Sequence, residues 1–75
     1  MKYKTEDGEL IQGNSPIDIV RALRDGGRFT ADQSDDEYMN GFAKRWKEYS
    51  GHDIRFDSAE NFVNDLVNTG GLIPV

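Results

Sequence analysis

Asp32, Asp35, Asp36 and Glu37 crowd four carboxylates into six positions, the densest group of potential ligands in this chain. Carboxylates at that spacing suggest calcium. An EF-hand loop started at Asp32, however, would put Glu37 where glycine is required and Ala43 where the bidentate glutamate belongs. The cluster reads instead as the acidic first turn of a helix, where the positive end of the helix dipole favours anions. Histidine occurs once, at His52, and cysteine not at all. A metal centre or a histidine-based proton relay needs partners that are missing here. Ser15, Ser34 and Ser58 lack a G-x-S-x-G elbow and a base, and each precedes a helical apolar pattern, so they are expected as N-caps bonded to backbone N–H groups. The glycine pairs Gly26/Gly27 and Gly70/Gly71 fit neither a phosphate loop nor a dinucleotide fingerprint and read as helix stops. No catalytic, cofactor-binding or metal site is expected, and the chain is read as a non-enzyme.

Basic residues offer a second kind of chemistry. Arg21, Arg24 and Arg28 recur at spacings of three and four, and Lys44, Arg45 and Lys47 form another group; either could meet phosphates. The net charge of −5, from 14 acidic and 9 basic side chains, opposes attraction to nucleic acid or anionic lipid. Two glycines also interrupt the helix before Arg28. Nucleic-acid binding therefore ranks last among the binding functions.

The elements that must position these residues are plainly signalled. Tyr3, Lys4 and Thr5, then Glu6, Asp7 and Gly8, then residues 9–12 predict a β-hairpin. A two-residue turn at Asp7 and Gly8 would pair Thr5 with Leu10. A three-residue loop with Gly8 left-handed would pair Tyr3 with Ile11, an aromatic–β-branched contact and the preferred register. Ser15 and Pro16 open a first helix with Asp18 in its first turn and Ile17, Ile19, Val20 and Leu23 as its apolar stripe; Asp25, Gly26 and Gly27 end it. Residues 28–33 form a loop with Phe29 directed to the core. Ser34 and Glu37 make a capping box for a second helix carrying Met39, Phe42, Ala43, Trp46 and Tyr49 on one side, with Gly51 as its stop. Residues 52–57 alternate, Ile54 and Phe56 against Asp53 and Arg55, and predict a strand. Asp57 or Ser58, with Glu60, caps a third helix whose buried face is Ala59, Phe62, Val63, Leu66 and Val67. The apolar "LIPV" trails behind.

The predicted order is β-β-α-α-β-α: a small α+β domain over residues 1–75, with a three-stranded antiparallel sheet and helices packed on one face. A domain of 75 residues without cysteine must hold itself together by apolar packing alone. No apolar run approaches the ~20 residues that span a bilayer, and the first ten residues lack a secretory apolar core, so a cytoplasmic location without membrane contact is expected.

Two stretches, "DGELIQGNSPIDIVRALR" and "DSAENFVNDLVNTGGLI", resemble short uncharacterised accessory proteins of bacterial phages and integrative mobile elements, in which a DG hairpin, a Ser-Pro-capped helix and a late S-x-E-x-F-V-x-x-L helix recur. That resemblance implies a bacterial or phage origin and supplies no catalytic residues. The expected function is a non-catalytic protein–protein interaction domain. Its partner is another protein, and self-association is a further option. Tyr38, Trp46 and Tyr49 on the second helix, and the tail with Leu72, Ile73 and Val75, are read first as completing the core. As an exposed patch they would instead be the expected partner-binding residues, because they carry more apolar area than so thin a domain can readily hide. The alternative is an acidic inhibitor of a nucleic-acid-processing enzyme. There Asp32, Asp35, Asp36, Glu37, Asp53 and Asp57 would stand in for phosphates.

Overall fold

The computed structural model describes residues 1–27 and 30–75. Arg28 and Phe29, and with them the expectations of a basic stripe reaching Arg28 and of Phe29 in the core, lie outside the described residues. The elements are β1 (Lys2–Thr5), β2 (Leu10–Gln12), α1 (Pro16–Gly26), α2 (Asp35–Ser50), α3 (Ala59–Thr69) and β3 (Leu72–Pro74). The three strands form one antiparallel sheet in the order β2-β1-β3. The α+β class and the helices on one face of a three-stranded sheet are as expected.

The hairpin adopts the three-residue register. Tyr3 lies opposite Ile11, the Gly8 N–H donates to Thr5 O at 3.0 Å, and the Thr5 N–H donates to Glu9 O at 2.9 Å. Gly8 has φ +86°, a left-handed position that costs an L-residue roughly 1–2 kcal/mol.

The third strand differs from the prediction. Residues 52–57 form no strand; the strand is Leu72–Pro74, after α3, so the order along the chain is β-β-α-α-α-β. The alternation at 52–57 has another cause. Asp53 accepts from Lys47 Nζ at 3.0 Å, Arg55 and Asp65 pair at 2.9 Å, and the Arg55 backbone N–H donates to Asp65 Oδ2 at 2.9 Å. Polar residues at every second position are thus tied to helices α2 and α3 while Ile54 is buried between them. A backbone donor taken by a side chain is lost to a sheet. The tail instead pairs with β1, setting Leu72 opposite Thr5, Ile73 opposite Lys4 and Pro74 opposite Tyr3, and the Val75 N–H donates to Lys2 O at 3.1 Å. Because hydrogen-bonded and non-bonded pairs alternate in antiparallel strands, that last bond leaves Pro74, which has no N–H to give, facing the free edge.

Capping follows the sequence at α2 and, for Ser58 but without the expected Glu60 box, at α3. Ser34 and Glu37 form the full capping box, and Ser58 Oγ accepts the Asn61 N–H at 3.1 Å. Ser15 occupies the N-cap position of α1 but its hydroxyl makes no cap bond; Asp18 reaches back instead, accepting the Asn14 N–H at 3.0 Å. Gly51 and Gly70 end α2 and α3 in the left-handed conformation.

The core lies between the covered sheet face and the helices. Ile11 and Leu72 enter it from the sheet, Ile19 and Val20 from α1, Tyr38, Met39, Ala43 and Trp46 from α2, and Phe62, Val63 and Leu66 from α3. Phe42 meets Phe62 edge to face at 5.6 Å and stacks towards Trp46 at 6.1 Å. The Trp46 indole N–H donates to Thr69 Oγ1 at 3.0 Å, and that hydroxyl donates to Asp65 O at 2.8 Å, so the one polar atom of the ring is satisfied inside the apolar cluster.

Gly71 is more than a helix stop. A methyl group there would lie 2.7 Å from Leu66 Cδ2 and 3.3 Å from Trp46 Cζ2. Overfilling a packed site typically costs about 1–3 kcal/mol. Gly71→Ala is therefore expected to lower the unfolding free energy by that amount, read as a lower urea midpoint with an unchanged m-value. The matching change at exposed Gly26, which has open space around its Cα, should leave the midpoint the same or higher.

Candidate functional site

The structure divides the six expected partner-binding residues into two groups. Tyr38, Trp46 and Leu72 are core, and Trp46 is only 7% exposed. They are therefore corrected from contact residues to packing residues: their apolar area is used inside the domain. Burial pushes the Tyr38 phenol up to about 12, an effect that the nearby Arg45 charge partly offsets. Tyr49, Ile73 and Val75 are exposed, at 74%, 49% and 62%. Tyr49 lies against the outside of Trp46, ring centroids 5.6 Å apart, at the far end of α2. Trp46→Ala is expected to cost about 3–5 kcal/mol in chemical denaturation, against less than about 0.5 kcal/mol for Tyr49→Ala.

The six carboxylates of the expected acidic face are dispersed and partly engaged. Asp35 accepts from Arg24 at 2.9 Å and from Arg21 at 3.3 Å. Asp53 is held by Lys47. Glu37 is bound in its capping box, where the Ser34 backbone N–H, and then the Ser34 side chain, hold its carboxyl below the usual carboxylate range. Asp57 accepts from Asn61 Nδ2 at 3.0 Å. Asp36 and Asp57 share a shallow cleft with Asn40, Arg55 and the exposed ring of Phe56, while Asp32 is exposed before α2. The same pairs engage part of the predicted basic groups: Arg21 and Arg24 are bound to Asp35 and Lys47 to Asp53, while Arg45 lies over the Phe42 ring at 6.0 Å and, among the described residues, neither it nor Lys44 makes an ion pair.

Asp65, which fixes residues 52–57, is the most strongly tied carboxylate. Hydrogen bonds from the Arg55 guanidinium, then from its backbone N–H, hold the Asp65 carboxyl below its ordinary value of 3.8. A folded-state pKa below the unfolded one gives stability that is present above pH 3.8 and is lost as pH falls through the lowered value. Denaturation midpoints measured from pH 6 downward should fall less steeply in Asp65→Asn than in the parent protein.

Lys2 and Lys4, which make no ion pair among the described residues, lie on the open face of the sheet. Strand alternation turns Tyr3, Thr5, Ile11 and Leu72 inward and leaves Lys2, Lys4, Leu10, Gln12 and Ile73 outward. Cross-strand pairing arranges them in rows: Leu10, Lys4 and Ile73 in one, Gln12, Lys2 and, through its bond to Lys2, Val75 in the next. Leu10 is 64% exposed. Among the described residues neither Lys2 nor Lys4 has an acidic partner, so a pair of ammonium groups on the central strand is flanked by apolar side chains on both outer strands. Sequence reasoning found Ile73 and Val75 here but missed Lys2, Lys4 and Leu10. The alternation of "KYKT" was the available signal, and it acquires meaning only when strand β3 is added beside it.

A second concavity, a cavity of about 350 Å³, lies between the hairpin loop and the end of α1. Its floor is Leu23, Phe42, Trp46 and Leu66, and Glu6 and Glu9 are on its rim. Thr5 Oγ1, which also lines it, accepts the Glu9 N–H at 3.1 Å. Among the described residues no cluster of three or more histidine, cysteine or carboxylate side chains could hold a metal ion. No family model, curated protein or solved structure matches the chain.

Proposed function

We propose that the chain is a non-catalytic protein-interaction domain acting through the open face of its sheet. The observation that carries this reading is the grouping of exposed Leu10, Ile73 and Val75 around Lys2 and Lys4, on the side of the sheet opposite the helices. Three apolar side chains held outward by a regular scaffold favour a docked partner over solvent. In keeping with its resemblance to phage and mobile-element proteins, we read the domain as an accessory factor working in the cytoplasm. Among the described residues no helix is long and apolar enough to cross a membrane. The acidic-inhibitor reading ranks second, since cations of the domain itself already hold Asp35 and Asp53.

The test is affinity capture from a nuclease-treated bacterial lysate with a triple variant, Leu10→Thr, Ile73→Thr and Val75→Thr. Threonine keeps β-propensity while removing apolar area, so the fold should hold. Loss of a stoichiometric protein that Tyr49→Ala still captures is the expected result. Capture indifferent to the triple change, or abolished by nuclease, would refute the reading.

A further inference from the structure

We infer that the segment seated on this face is an amphipathic helix of another protein, carrying two carboxylates one helical turn apart. The inference rests on the proposed interaction role and adds the chemistry of the partner.

Charge gives the sign. The chain carries −5 overall, yet among the described residues the open face presents Lys2 and Lys4 and no carboxylate side chain, while Arg21, Arg24, Lys47 and Arg55 are paired elsewhere and the unpaired Lys44 and Arg45 sit on α2. A second copy of this chain would bring its own two lysines against these two, and like charges across an interface are repelled. Nucleic acid would meet two cations set between Leu10, Ile73 and Val75 on a strongly acidic body, a poor surface for a phosphate backbone.

Size and spacing give the shape. Three strands about 4.8 Å apart and about four residues long at ~3.3 Å each make a footprint of roughly 200 Å². That is far below the ~800 Å² per partner of a standard interface between globular proteins. It does suit one helix of about 10–12 Å diameter lying along β1. Lys2 and Lys4 are two residues apart on one strand, hence about 6.6 Å along it. Carboxylates at i and i+4 on a helix stand about 6 Å apart, which matches that interval. Apolar residues beside that pair would rest on Leu10 to one side and on Ile73 and Val75 to the other.

The experiment titrates the full isotopically labelled chain with a stapled helical peptide of about 14 residues, bearing glutamates at i and i+4 flanked by leucines, and follows backbone amide shifts. Shifts confined to the three strands are expected. Affinity should fall about tenfold with glutamine in place of both glutamates, the order that two exposed ion pairs support. It should fall equally in Lys2→Gln/Lys4→Gln, and return when Lys2→Glu/Lys4→Glu meets a peptide with lysines at those positions. Binding that ignores these changes, shifts on the helical side, displacement by an oligonucleotide, or self-association that protects the face would each overturn the inference. If the peptide fails while capture still depends on Leu10, Ile73 and Val75, only the partner's chemistry is wrong. If both fail, the interaction reading falls with it.

Discussion

The close approach of the Gly71 backbone to Leu66 and Trp46 is the constraint on which the rest of this structure turns. It lets the chain leave α3 and drop directly into the sheet, placing Leu72 in the core on the very next residue. From there β3 has only one course, alongside β1, and the sheet acquires its third strand. Without that strand a two-stranded hairpin would have little intrinsic stability. Trp46 gains as well, since the Gly71 contact and the Thr69 hydroxyl enclose the ring from the same helix end.

How far the sequence could be read follows from which signals were local. The ends of α2 and α3 were legible because Ser34, Glu37, Ser58, Gly51 and Gly70 act on neighbouring backbone groups. The hairpin register was legible because only one option paired Tyr3 with Ile11. Residues 52–57 were misread because alternation records that successive side chains have different surroundings, and ion pairs to two helices produce that as readily as a sheet does. The helix stripe also could not say where the core ends: Trp46 and Tyr49 are one turn apart, yet the first is buried and the second exposed. The open sheet face was the least legible part. Lys2, Lys4 and Leu10 are ordinary surface residues until a strand from the far end of the chain lies beside them.

Charge distribution has the same non-local character. An acidic chain would be expected to present acidic surfaces everywhere. Instead, the helical side is stitched by pairs such as Arg24 with Asp35 and Arg55 with Asp65, and the central strand is left with cations alone. An exposed pair such as Lys47 with Asp53 contributes little to stability. On the proposed interaction role the larger effect of such pairs would be on recognition, because the Lys2/Lys4 stripe stands apart from a helical side where Arg21, Arg24, Lys47 and Arg55 are already paired.

The pairing of β1 with β3 joins residues from opposite ends of the described chain. Loop-closure entropy makes such a contact slower to form than the hairpin and the helix turns, which need only neighbours. The open face is therefore expected to assemble after the hairpin and the helices. Its two rows exist only after Ile73 and Val75 arrive, and they vanish when the last strand frays, an opening that also bares Leu72 and Trp46. On the proposed interaction role, recognition of this face would double as an inspection of folding: a partner gripping both outer strands would engage finished molecules and pass over those still waiting for their final strand.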